Sequence, residues 1–274
     1  MSHTEEIQHH YENPRLLESI LEGLRASGKD PDHLAPEDLS AVDEFHIRGR
    51  ESTTETAKLA SFPKGSHVLD IGSGIGGPSR HLASQFGLRM TGIDLSPLYC
   101  DIATELARRT GLSDQVRYQQ ADATSLPFAD ETFDGTWTQH ASMNIENKEA
   151  LYREMARVVK RGGKVVLYDI YGKEGEPHFP VPWARTPDIS FLCSSDGIRA
   201  HLEKQGLVPI VWNDDSEQAL EWFERRIASS AARGPDPVGL HQLFGPIWSE
   251  MAKNIVRNLK EKRIGVVQGV WTKP

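Results

Sequence analysis

The sequence predicts an α/β chain: a doubly wound parallel sheet, with helices added before it and within its last third. Two observations carry this. Short apolar runs, several ending in an acid or an amide, alternate with stretches of helical periodicity. The first such run, Val68-Leu69-Asp70-Ile71, enters a glycine-rich turn, Gly72-Ser73-Gly74-Ile75-Gly76-Gly77, that opens a helix at Pro78.

In chain order, Asn13-Pro14 signals a helix start. Leu16, Leu17, Ile20, Leu21 and Leu24 follow at helical spacing, and Gly28 marks a stop. This helix either closes one edge of the core or acts as a lid. Residues 1–61 are set apart as an N-terminal helical lid or cap, and residues 62–274 as the main domain. Residues 42–51 are too charged for core and too mixed for a strand; a helix follows over about 52–60. After the glycine turn, Leu82, Ala83 and Phe86 give the next helix its apolar face. Met90 to Asp94 reads as strand two, and Ser96-Pro97 caps a helix that Gly111 ends. Strands three and four cover 116–122 and 133–139. A helix through Leu151, Met155 and Val158 stops at Gly162-Gly163, and strand five covers 164–169. The Pro- and Gly-rich loop 172–187 is placed at the rim. A helix over 196–205, a strand over 207–212, amphipathic helices between 216 and 262 and a last strand over 264–272 complete the chain.

Composition excludes several classes. The 274 residues suffice for one large domain. With 31 Lys+Arg against 39 Asp+Glu the formal charge is −8, and no basic block offers a nucleic-acid surface. Cys100 and Cys193 stand far apart, with neither a disulfide framework nor a zinc spacing, so no metal is expected. No apolar run is long enough for a bilayer and the polar start has no signal-peptide core, so a cytoplasmic protein is expected. Nothing opposes a homo-oligomer.

In such sheets ligands bind at the carboxyl ends of strands, near the point where strand order reverses. Asp70, Asp94, Asp122, Gln139 and Asp169 all fall at or near those ends. Gly72-x-Gly74-x-x-Gly77 satisfies the dinucleotide fingerprint, which keeps an NAD(P)-dependent oxidoreductase as a remote alternative. Asp70, directly before the turn, would repel a pyrophosphate and favour a cationic ligand. Asp94 can accept from both hydroxyls of a ribose. A nucleoside bearing a sulfonium and no phosphate suits this pair.

On these residues the chain resembles the class I S-adenosylmethionine-dependent methyltransferases. Asp70 to Gly76 matches that family's first motif. Asp94, Ala121-Asp122-Ala123 with Leu126-Pro127-Phe128, and Arg161-Gly162-Gly163-Lys164 match later ones. The resemblance implies a Rossmann-like seven-stranded sheet whose last strand is antiparallel and inserted between the fifth and sixth. The helices at about 216–262 are then an insertion. It implies S-adenosyl-L-methionine as cofactor, held by Asp70, Gly72, Ser73, Gly74, Gly76, Asp94 and Leu95. Asp122 would reach the adenine amino group, Ala123 would add a backbone contact, and Gln139 would lie beside the methionine part. Over a longer span, through the leading helix, Asp43-Glu44-Phe45-His46-Ile47-Arg48-Gly49-Arg50 and the late insertion, the chain is similar to the sarcosine/dimethylglycine N-methyltransferase branch.

The expected activity is methyl transfer to a small molecule, foremost N-methylation of a small amino acid such as sarcosine or dimethylglycine. O- or C-methylation of a small metabolite is the alternative, and a cofactor-binding regulator the non-enzymatic one. His140 and His46 are the candidate bases. Arg48 and Arg50 would clamp a substrate carboxylate, unless they are spent on Glu44 or Glu51. Met143 and Tyr168 complete the expected acceptor side. Phe179, Trp183 and Phe191 are candidates for an apolar lining.

Overall fold

In the computed structural model, which describes Glu6, His10, Tyr11 and residues 13–233 and 237–274, the chain is organised on one mixed sheet. Strands β1 (His67–Ile71), β2 (Arg89–Asp94), β3 (Val116–Gln120), β4 (Phe133–Gln139) and β5 (Val159–Gly172) run parallel. β6 (Val208–Asp214) and β7 (Ile264–Thr272) complete the order β3-β2-β1-β4-β5-β7-β6, with β7 antiparallel to both neighbours. The expected sheet and its inserted last strand are present. Strand order reverses between β1 and β4, which opens a crevice at their carboxyl ends.

Both faces of the sheet are covered, so its central strands are apolar on both sides. Leu69, Ile71, Leu167 and Trp271 pack with Leu151 and Met155 of α5 (Lys148–Val158). Val68, Met90, Trp137 and Val270 pack with Leu82 and Ala83 of α3 (Gly77–Phe86) on the other face. α2 (Gly49–Ala60) lies on this second side, where Gln268 donates to Thr56 Oγ1 at 2.8 Å. The expected leading helix is α1 (Leu16–Ala26). Its Leu16, Ile20 and Leu24 are buried with Tyr99, Ile102 and Leu106 of α4 (Pro97–Arg109). The same cluster takes in Leu243 and Phe244 of α8 (His241–Phe244) and Met251 of α9 (Trp248–Lys260). α6 (Ser195–Lys204) precedes β6, and α7 (Ser216–Arg233) opens the late helical stretch where it was expected.

Three local expectations change. α5 ends at Val158, before Gly162-Gly163: Val159 already pairs with Phe133, and the Gly162 N–H goes to the Lys273 carbonyl at 2.7 Å. β3 ends at Gln120, leaving Asp122 in a loop. Asp169 lies inside β5 and is fully buried, accepting from the N–H groups of Ser142 and Ile170. It supports the turn after β4 and does not stand on the rim.

Candidate active site

The cleft at the switch point opens to solvent and spans about 1090 Å³ of empty space, solvent at its mouth included. One end is built from the glycine loop, the end of β2 and the loop after β3: Gly72, Gly74, Asp94, Leu95, Asp122 and Ala123 line it. Gly72 has φ +73°, and a Cβ there would overlap the Ala141 Cβ. Both its torsion and its surroundings require glycine. Asp94 accepts from Gly74 N–H and from Ser96 N–H, each at 2.9 Å. Burial raises its pKa, against the pull of these donors. The remaining lone pairs of its carboxylate suit hydroxyl donors. Asp122 is exposed and takes Thr124 N–H and Oγ1–H on Oδ1. A neutral, hydroxyl-rich nucleoside fits this end.

Other expected cofactor residues stand behind the wall. Asp70 is buried and accepts from Ser79 Oγ at 2.7 Å, at the start of α3. Its pKa is pushed up to about 7 by burial, with Ser79 opposing and Asp94 adding to the rise. Gly76 shapes the loop and accepts the Tyr118 hydroxyl at 3.1 Å. Asp70, Ser73 and Gly76 are not among the lining residues.

Gln139 marks the middle of the cleft. Its Oε1 accepts from Trp137 Nε1 at 2.9 Å, which orients the amide, while its buried Nε2 has no hydrogen-bond partner. Beyond it lie His140, Ile47, Met143, Ile145, Ile170 and Trp183, with Tyr11, Phe244 and Ile255 from distant parts of the chain, while Phe45 lies over Gly74. Lys148 Nζ donates to the carbonyls of Ser142 and Ile145, holding from behind the turn that presents Met143. Phe179 and Phe191 are not in the lining, whereas Trp183 is.

His140 faces the cleft at φ +49°. Its Nδ1 lies 3.1 Å from the Tyr168 carbonyl, so Nδ1 carries the hydrogen. Its Nε2 accepts from the Ile47 N–H at 3.3 Å. Burial, reinforced by His46, lowers its pKa to about 3, so the ring is neutral.

The remaining expectations are corrected. His46 is not in the lining. It is buried against Gly49 O and Thr53 Oγ1, and burial lowers its pKa to about 4. Tyr168 is fully buried and donates to Asp215 at 2.6 Å, so it supports the wall without facing the cleft. Arg48 forks onto Asp215 at 2.9 and 3.1 Å and donates to Glu51. Arg50 donates to Glu44 at 3.1 Å and to the Pro36 carbonyl. Both arginines are spent on internal partners and neither lines the cleft. Phe45, Ile47, Asn144, Phe244 and Ile255 line it without having been singled out. For Phe45 and Ile47 the signal was two apolar residues, i and i+2, inside a charged run; the others gave none.

Comparison with known proteins agrees with this geometry. A family model described as "Methyltransferase domain" matches residues 69–167. Methyltransferase GfsG of Streptomyces halstedii is 33% identical over 133 residues, 48% of this chain and 48% of its own length. Sterol 4-C-methyltransferase strm-1 of Caenorhabditis elegans is 36% identical over 162 residues, 56% of this chain and 47% of its own. The chain thus spans about half the length of these curated relatives. Among solved structures, phosphoethanolamine N-methyltransferase 2 of Haemonchus contortus shares the fold with a TM-score of 0.77 at 18% identity, covering 100% of this chain and 60% of that one. These matches replace the nicotinamide alternative left by the glycine spacing. Residues 69–167 thus match a methyltransferase domain, and the glycine loop, the acid ending β2 and the sheet order are those expected of the class I S-adenosylmethionine-dependent methyltransferase fold.

Proposed function

We propose that the chain transfers the methyl group of S-adenosylmethionine to a small, uncharged, largely apolar acceptor, at oxygen or carbon. One observation carries the choice of acceptor: past Gln139 the cleft is lined by Ile47, Met143, Ile145, Ile170 and Trp183, and among the described lining residues there is no lysine or arginine. A carboxylate brought there unpaired would lose its hydration without compensation. That weighs against sarcosine or dimethylglycine, whose carboxylate needs a cation, and Arg48 and Arg50 are already committed.

The cofactor supplies an activated methyl group; the protein aligns the acceptor and excludes water. Gly72, Gly74, Asp94, Asp122 and Ala123 would hold its nucleoside. His140 offers its Nε2 lone pair on the acceptor side. In this conformation the Ile47 N–H occupies that lone pair, and a hydroxyl acceptor would have to displace it. A carbon nucleophile makes no such demand.

A mass-spectrometric screen with S-adenosylmethionine tests the proposal. One panel holds prenylated phenols, sterols and unsaturated isoprenoids; the other holds sarcosine, dimethylglycine and phosphoethanolamine. S-adenosylhomocysteine and a product heavier by one methylene are expected from the first panel. Turnover of the charged panel with the apolar one inert would reject this acceptor class.

A further inference from the structure

Residues 43–48 lie as a strap over the cleft, and a buried arginine–carboxylate pair fixes each end. At the first end, Arg80 Nη2 donates to Asp43 at 2.7 Å, with both side chains at 0% exposure. Arg80 sits in the first turns of α3, and its Nη1 donates to the Ile75 carbonyl of the glycine loop at 2.7 Å. Gly77 begins α3 directly beneath: a Cβ there would overlap the Asp43 carbonyl. At the second end, Arg48 forks onto both oxygens of Asp215, which also accepts the Tyr168 hydroxyl. Asp215 lies between β6 and α7, on the far side of the cleft from the glycine loop.

Between these anchors the strap touches both ends of the cavity. The Phe45 ring lies over Gly74, where a Cβ would stand 3.3 Å from it. Two residues later the Ile47 N–H meets His140 Nε2 at 3.3 Å. A buried ion pair is a poor source of net stability compared with apolar packing, but it holds one geometry tightly. Here each pair ties the strap to a different half of the site.

We infer that Arg80 with Asp43, and Arg48 with Asp215, are two positioning pairs, the first setting the roof over the cofactor end and the second the roof over the acceptor end. The inference rests on the methyl-transfer reading above.

The test removes each pair as a unit, so that no lone charge is left buried. S-adenosylhomocysteine affinity is measured by calorimetry, and exchange of the Ile47 amide by NMR. D43N/R80M is expected to weaken S-adenosylhomocysteine at least tenfold. R48M/D215N should leave that affinity within twofold while speeding exchange of the Ile47 amide at least tenfold. A merely structural role would lower the thermal midpoint of both without this split. If D43N/R80M does not fold, R80K carries the same expectation at several-fold weakening. Equal effects of both pairs on affinity, or none, overturn the inference. Wild-type protein that binds no S-adenosylhomocysteine would instead remove the methyl-transfer reading, and the inference with it.

Discussion

The Asp94 carboxylate accepts from two backbone N–H groups and still faces the cleft. Asp94→Ala should weaken S-adenosylmethionine binding by about 1–3 kcal/mol, the scale of unpaired buried polar groups. Calorimetry at a temperature where both proteins are folded decides it; unchanged affinity would take Asp94 out of the site. Asp70 makes a different prediction, through its pKa of about 7 in the fold against an ordinary value of 3.8. A raised folded pKa means that the native state binds the extra proton, so stability is lost as pH rises from about 4 to 7. Asn keeps the acceptor for Ser79 and carries no charge. Asp70→Asn should therefore gain stability relative to wild type at pH 8 compared with pH 5, read from urea midpoints. A constant difference would mean that Asp70 does not titrate in that window. Arg48 belongs to the same scale. Arg48→Ala leaves Asp215 buried with one fewer donor, and should cost about 3–5 kcal/mol of stability. Loss of acceptor binding alone, at unchanged stability, would restore Arg48 as a substrate clamp.

At the level of elements, α1 is a core helix by burial, with Leu16, Ile20 and Leu24 within 1% of full burial. It nonetheless shares its cluster with Tyr99 and Phe244, which line the cleft. Closing ligand into the cleft should stiffen that shared cluster. The amides of α1 are therefore expected to exchange more slowly when S-adenosylhomocysteine is bound. Equal exchange with and without ligand would leave α1 a packing helix. The strap just before α2 is the element whose role changed most. Its charges are taken up by partners outside it, Asp43 by Arg80, Glu44 by Arg50 and Arg48 by Asp215, while Phe45 and Ile47 turn inward.

For the whole molecule, the cleft is bounded by the sheet on one side and by the strap and the late helices on the other. Ligand that binds only the folded chain must then stabilise both together. At a ligand concentration about 100 times Kd, linkage predicts roughly 2.7 kcal/mol of added stability. Calorimetric unfolding should show one transition moving up with S-adenosylhomocysteine. Two transitions, of which only one moves, would mean that the late helices unfold apart from the sheet. Among the described residues no helix is long and apolar enough to cross a membrane.

Much of the sheet and the cofactor end was legible in the sequence, because their determinants are local. Apolar strands, helix caps such as Ser96 and a glycine demanded by φ at position 72 act over a few residues. Asp94 takes one partner, Ser96, from its own turn and the other, Gly74, from the glycine loop 20 positions earlier, which its own motif marks. The acceptor end was not legible. Whether Arg48 meets a substrate or Asp215 depends on a partner 167 positions away, and periodicity carries no information across that distance. His46 and His140 look alike as residues, and their separation into a packed ring and a cleft-facing ring arises only when the strap folds over β4. Local chemistry thus determined the fold and the cofactor end, and long-range pairing of buried charges decided the shape and polarity of the acceptor pocket.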